Sequence, residues 1–241
     1  GIEYPLVKLD QVALPDFEAG AMENWGLITY RESMMLIDQN STLANRRTVA
    51  TTVTHELSHQ WFGNLVTMQW WDDLWLNESF ATIMEYYCAD QLYPELKVWY
   101  DFFAGDCIAA LERDALRDVQ SVKQAVKHPD EIATLFDPAI VYAKGARLIY
   151  MLVRLMGESK FLQGIHDYFE RFQFKNTVGD DLWTCLKPYA EFDVEQFMHA
   201  WITQPGFPAL RHLQNDDLEQ WEQQRFLLDG TTDASRWPLP E

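Results

Sequence analysis

The chain has only three cysteines in 241 residues, Cys88, Cys107 and Cys185, far apart and without a Cys-x-x-Cys pair. That scarcity argues against a disulfide framework or a thiolate metal site and favours a reducing compartment, so a cytoplasmic location is expected. Basic residues are also few, 19 against 37 acidic, for a net charge of −18. A surface of that sign is repelled by phosphate backbones and anionic lipid, so no nucleic-acid partner and no membrane-surface role are expected. Long apolar runs are missing too. The best candidate, Leu148 to Met156, is flanked by Arg147 and interrupted by Arg154, so no membrane span is expected. There is no internal repeat and no low-complexity stretch. What is present suffices for a large core, since 48% of residues are hydrophobic, in one domain or two.

Residues 55 to 59 read His-Glu-Leu-Ser-His. Positions four apart on an α-helix lie about 40° apart in projection, so His55 and His59 can aim one ring nitrogen each at the same ion. Glu56, turned by about 100° from His55, suits proton handling beside a metal better than ligation. The pentapeptide alone is short enough to arise on an ordinary charged helix, but its surroundings favour the sharper reading. Thr48 to Gln60 contains no Pro or Gly, carries apolar residues at Val49, Val53 and Leu57, and runs into Gly63-Asn64, where a helix stop is expected. Beyond an irregular Trp-rich connection, Phe80, Ile83, Met84 and Tyr87 repeat at helical spacing, and Glu78, Thr82 and Glu85 form the opposite, polar stripe. Two His and one Glu make a ligand set used by catalytic zinc, which leaves its fourth position to water. Glu85 either accepts a hydrogen bond from a ligand His or faces solvent.

Upstream, Gly20-Ala21-Met22-Glu23-Asn24 lies between two strand-like runs, Lys8 to Leu14 and Leu27 to Leu36. A Gly-x-Met-Glu-Asn segment ahead of His-Glu-x-x-His, with residues 60 to 77 separating the second His from Glu78, resembles the aminopeptidase N family of gluzincins. The resemblance continues through Trp61-Phe62-Gly63-Asn64, Trp75-Leu76-Asn77-Glu78 and Tyr142-Ala143-Lys144-Gly145-Ala146. It implies an α+β, thermolysin-like zincin catalytic domain, with a small β-containing lobe followed by a mainly helical one. It also implies one Zn2+ per chain on His55, His59 and Glu78, Glu56 as general base, and Tyr142 as donor to a tetrahedral oxyanion. Glu23 would anchor the α-amino group of a peptide substrate with a free N-terminus, and Gly20, Ala21 and Met22 would flank that substrate, the segment pairing with it as a strand edge does. By position alone Glu23 could equally be a solvated loop residue, and Tyr142 one of ten tyrosines that merely pack their rings. An endopeptidase of the thermolysin type shares the metal logic but has no use for an amine anchor, and a non-catalytic module could keep the fold. An epoxide-hydrolysing branch of the family typically has Gly in the place of Ala21.

The rest of the chain reads as mainly helical from Pro94. Helices are expected at Glu95–Leu116, at Pro138–Met156 with Asp137 as N-cap and Gly157 as stop, and at Glu158–Phe172, Gly179–Pro188 and Asp193–Thr203. Strands are expected at Ala209–Leu213 and Trp221–Leu228, with a turn at Asp229-Gly230. His128, His166, His199 and His212 are isolated and read as surface or satisfied core residues. The pattern suggests a catalytic domain over 1–208, truncated at its N-terminus, and the beginning of a following β domain over 209–241. By the resemblance, remaining domains of a longer protein would help close the substrate cleft, and the fragment itself could be weakly active or inactive.

Overall fold

The computed structural model describes residues 1–215 and 218–240. Strands β1 (Asp10–Leu14), β2 (Ala21–Met22) and β3 (Leu27–Arg31) form a sheet in the order β1-β3-β2. β1 runs parallel to β3 and β2 antiparallel to it, Ala21 facing Tyr30. β2 is therefore an edge. The third strand is shorter than the expected Leu27 to Leu36. Its alternation buries Ile28 and Tyr30 and ends at Arg31, whose Nε donates to the Phe17 carbonyl at 2.9 Å, and Glu32–Met34 then coil into a 3-10 turn.

Helix α1 (Leu43–His59) starts earlier than its apolar stripe suggests, because the Thr42 hydroxyl caps it, accepting from the Asn45 N–H at 3.1 Å. A loop with a short strand, β4 (Val66–Met68), and a 3-10 turn at Trp71–Asp73 leads into α2 (Trp75–Leu92). The first nine residues of α2 are buried all round, so it runs through the core rather than over it. Asp73 fixes its entry: its carboxylate accepts from the Trp75 indole at 2.8 Å and the Gly179 N–H at 3.3 Å, and it pairs with Lys123 at 2.9 Å. α1 and α2 lie against each other, which brings the two halves of the motif together.

The single helix expected over Glu95–Leu116 is broken. A 3-10 turn at Pro94–Leu96 ends at Lys97, whose φ of 52° is left-handed, and α3 (Trp99–Asp101) passes through a π-helical turn (Phe102–Asp106) into α4 (Cys107–Asp114). The break seats an aromatic cluster. Trp99 and Phe102 pack on Tyr86 and Tyr150, and the Arg147 guanidinium lies 4.7 Å from the ring centres of Phe102 and Phe103. A π-helical turn adds a single residue to one turn, so the segment still reads as helical by composition and only its register shifts.

A second π-helical turn, Pro138–Lys144, is capped by the Asp137 side chain as expected and continues as α5 (Gly145–Met156), which stops at Gly157 with φ 81°. α6 (Glu158–Phe172), α7 (Gly179–Leu186) and α8 (Val194–Thr203) follow where expected. The three-residue strand β5 (Lys175–Thr177), too short to give a period, pairs in parallel with β4. The antiparallel hairpin β6 (Pro208–Asn215) and β7 (Leu218–Arg225) follows, and residues 226–240 run on from it without further helix or strand, burying Leu227 and Trp237. The result is a mixed α+β chain dominated by helix. No helix among the described residues is long and apolar enough to cross a membrane.

The second π turn is tied to α4 and to the loop before the hairpin through a buried ion pair. Lys144 Nζ lies 2.7 Å from Asp114 Oδ2 and donates to the Gly206 carbonyl at 3.0 Å, while Asp114 Oδ1 accepts from the Gly206 N–H at 2.7 Å. Burial pushes the Lys144 ammonium down from its ordinary value, against the support of Asp114. Replacing one partner leaves the other charge buried alone, so Asp114→Ala is expected to lower unfolding stability by about 3–5 kcal/mol. Urea denaturation checks this, and a change under about 1 kcal/mol would count against the pair as a structural tie.

Candidate metal centre and its cleft

α1 presents His55 and His59 one turn apart, and α2 presents Glu78 opposite them from its first turn. His59 Nδ1 lies 3.0 Å from the Phe62 carbonyl, which can only accept, so Nδ1 carries the proton and Nε2 keeps its lone pair. His55 Nδ1 lies 2.7 Å from Glu85 Oε2, which fixes the same tautomer. Glu85 thus faces the ligand helix rather than solvent. The two Nε2 atoms are 3.1 Å apart, and Glu78 Oε2 is 3.4 Å from that of His55 and 3.3 Å from that of His59. Three electron-pair donors face one another in a buried place, which is stable only around a positive charge.

The donor set fits a divalent ion. Tetrahedral ligands at about 2.0–2.1 Å from a metal stand about 3.3 Å from one another, close to the three distances observed. His55, His59 and Glu78 are also the only such group of three metal-binding side chains found among the described residues. The protonation balance points the same way. Burial disfavours the charged form of His55 and of His59, yet hydrogen bonding to Glu78 and its charge, joined at His55 by Glu85, raise both above the ordinary imidazole range. Burial works to raise Glu78, and the two imidazoles overcome it, bringing its carboxyl down to about 2.

Glu56 is 6% exposed, and its Oε2 has no hydrogen-bond partner among the described residues. Burial pushes its carboxyl up to about 7 against the pull of His55 and His59, placing it where a group can both take and return a proton near neutral pH. Tyr142 stands across the site, its ring 6.1 Å from that of His55 at 24°. Burial and the Glu78 carboxylate hold its phenol well above the usual range, so it remains a donor.

These side chains open on a pocket of about 360 Å³, lined also by Ala21 of the edge strand, by Gly20 and Glu23 on either side of that strand, and by Met34, Thr51 and Thr52. The structure therefore gathers His55, Glu56, His59, Glu78, Tyr142, Gly20, Ala21 and Glu23 around one space. Met22 does not join them: in a strand its side chain turns to the other face, where it is 40% exposed. The Glu23 backbone is held by side chains that follow the second His, its carbonyl accepting from Asn64 Nδ2 at 2.7 Å and Gln60 Nε2 at 3.4 Å. Sequence reasoning passed over Gln60 as a holder of Glu23, and Thr51 and Thr52, which sit one turn before His55 and Glu56 on the same helix face. That spacing was the available signal. His128, His166, His199 and His212 are all exposed and away from the site.

Residues 1–201 match the peptidase family M1 domain. The chain belongs to that family. It is 54% identical over 239 residues to the aminopeptidase N of Lactococcus lactis subsp. lactis (strain IL1403), covering 98% of this chain and 28% of the relative. It is 43% identical to aminopeptidase M1-A of Oryza sativa subsp. japonica, covering 99% and 27%, and 40% identical to the tricorn protease-interacting factor F2 of Thermoplasma acidophilum, covering 100% and 30%. The chain thus spans less than a third of the length of these relatives.

Because the folded-state pKa of Glu56 lies above the ordinary 4.5, its contribution to stability is full below about pH 4.5 and is lost as pH rises through about 7. Glu56→Gln cannot ionise. In metal-stripped protein it should match the parent near pH 4.5 and exceed it by roughly 3 kcal/mol at pH 8, as followed by urea unfolding. An equal difference at both pH values would contradict the buried, raised carboxyl.

Proposed function

We propose that this chain is the catalytic part of a zinc aminopeptidase that hydrolyses the N-terminal peptide bond of peptides. The observation that carries the reading is the Glu23 carboxylate lining the same pocket as the His55, His59 and Glu78 donor set. An enzyme that trims chain ends must recognise the one charge found only there, the α-ammonium, and a carboxylate at a fixed distance from the reacting centre measures off one residue.

His55, His59 and Glu78 would hold the ion, and two imidazoles with one carboxylate suit zinc. A zinc ion there supplies a Lewis acid that lowers the pKa of water toward neutrality and polarises a carbonyl. Glu56 takes the proton of the attacking water and passes it to the departing amine; its buried, unpartnered Oε2 supports that role. Tyr142 donates its hydroxyl to the oxyanion that forms as the carbonyl carbon becomes tetrahedral. Glu23 receives the ammonium, and the edge strand Ala21–Met22 offers backbone groups to an extended peptide.

This reading places a thermolysin-like arrangement in residues 1–208, the β-containing lobe carrying the amine anchor and the helical lobe carrying the ligands. Residues 209–241 then begin a following β domain, and the relatives' greater length supports a cleft completed by further domains.

Two measurements on the full-length, zinc-loaded protein test the reading. A dipeptide amide with a free amine should be cleaved and its N-acetylated form should not; equal cleavage of both would point to an endopeptidase, and cleavage of neither to a binding module. Tyr142→Phe should lower kcat by roughly 10²–10³ with KM little changed, the scale of a lost oxyanion donor. Unchanged kcat would remove Tyr142 from the chemistry.

A further inference from the structure

The π-helical turn that carries Tyr142 packs along α2, and a buried side chain bonds its backbone there. Ser79, the residue after Glu78 on α2, is fully buried, and its hydroxyl donates to the Val141 carbonyl at 2.6 Å. The contact is backbone-close. A Cβ added at Gly145 would overlap the Ser79 hydroxyl and stand 2.7 Å from the Ser79 Cβ, so glycine is what lets the two helices meet there. The bonded carbonyl belongs to the residue before Tyr142, and the donating serine follows a metal-ligand position. One hydrogen bond therefore spans the two elements that must agree on where an oxyanion forms. On the far side of the turn, Lys144 is held by Asp114 and the Gly206 carbonyl, while the Ser79 hydrogen bond ties the turn's backbone to α2 next to Tyr142.

We propose that Ser79 is a positioning residue for the reaction: by holding the Val141 carbonyl it sets the Tyr142 phenol relative to Glu78 and the donor set. The inference rests on the reading of Tyr142 as the oxyanion donor. Without the hydroxyl, Val141 loses a buried partner, and the turn, whose π-helical bonding already departs from the α-helical register, is held less firmly against α2 at the residue before Tyr142. A displacement near 1 Å at a reacting centre is enough to cost up to a hundred-fold in rate.

The test compares Ser79→Ala, Tyr142→Phe and the double variant in the full-length, zinc-loaded protein, reading kcat, KM and zinc per chain. Ser79→Ala is expected to lower kcat ten- to a hundred-fold, with KM within about two-fold and one zinc retained. The double variant should be no slower than Tyr142→Phe, because Ser79 acts through a hydroxyl already removed. Losses that multiply in the double variant, lost zinc in Ser79→Ala, or unchanged kcat would each overturn the proposal. If Ser79→Ala does not accumulate as folded protein, Ser79→Cys, which keeps a weak donor, replaces it. Its kcat should fall between those of the parent and Tyr142→Phe, and parental or zinc-depleted behaviour overturns the proposal. Full kcat in Tyr142→Phe would instead bring down the underlying reading, whereas a slow Tyr142→Phe beside a normal Ser79→Ala rejects the positioning role alone.

Discussion

Two imidazole nitrogens and a carboxylate oxygen held 3.1–3.4 Å from one another in a buried site are stable only with a positive charge, proton or metal ion, shared among them. Everything around them serves that constraint. Glu85 and the Phe62 carbonyl fix the imidazole tautomers so that both Nε2 atoms face inward, and the Asp73 hub fixes where α2 begins and hence where Glu78 stands. A divalent cation would supply that charge, which couples filling of the site to the stability of the fold around it.

The same logic explains the shell of partly satisfied groups. Glu56 is buried without a partner for one oxygen among the described residues, an arrangement that destabilises the carboxylate and raises its carboxyl toward neutral pH. Tyr142 is carried on a π-helical turn, a conformation with poorer hydrogen bonding than an α-helix, pinned by Ser79 on one side and Lys144 on the other. Glu23 follows an edge strand only two residues long and has its carbonyl held by Asn64 and Gln60, so it shares one scaffold with His55 and His59.

Much of this was legible from the chain. Helical spacing located both ligand helices, and caps and glycines placed the helices from Pro138 to Thr203 nearly residue by residue. What escaped had physical reasons. The π turns add one residue and shift the register of segments that still read as helical, β4 and β5 are too short to show a period, and β3 ends where a guanidinium finds a distant carbonyl. Met22 sat in the right motif, but strand alternation turns it away from the pocket that Ala21 and Glu23 line. Ser79 gave no signal at all, since a buried serine in an apolar helix acquires its meaning only from the carbonyl brought to it from 62 residues away.

The convergence of His55, His59 and Glu78 on a single ion is tested most directly by X-ray absorption at the zinc edge on the metal-loaded protein. The account predicts two imidazole nitrogens at about 2.0–2.1 Å with oxygen donors completing the set, and no sulfur. A sulfur neighbour, or a shell of oxygen alone, would contradict it.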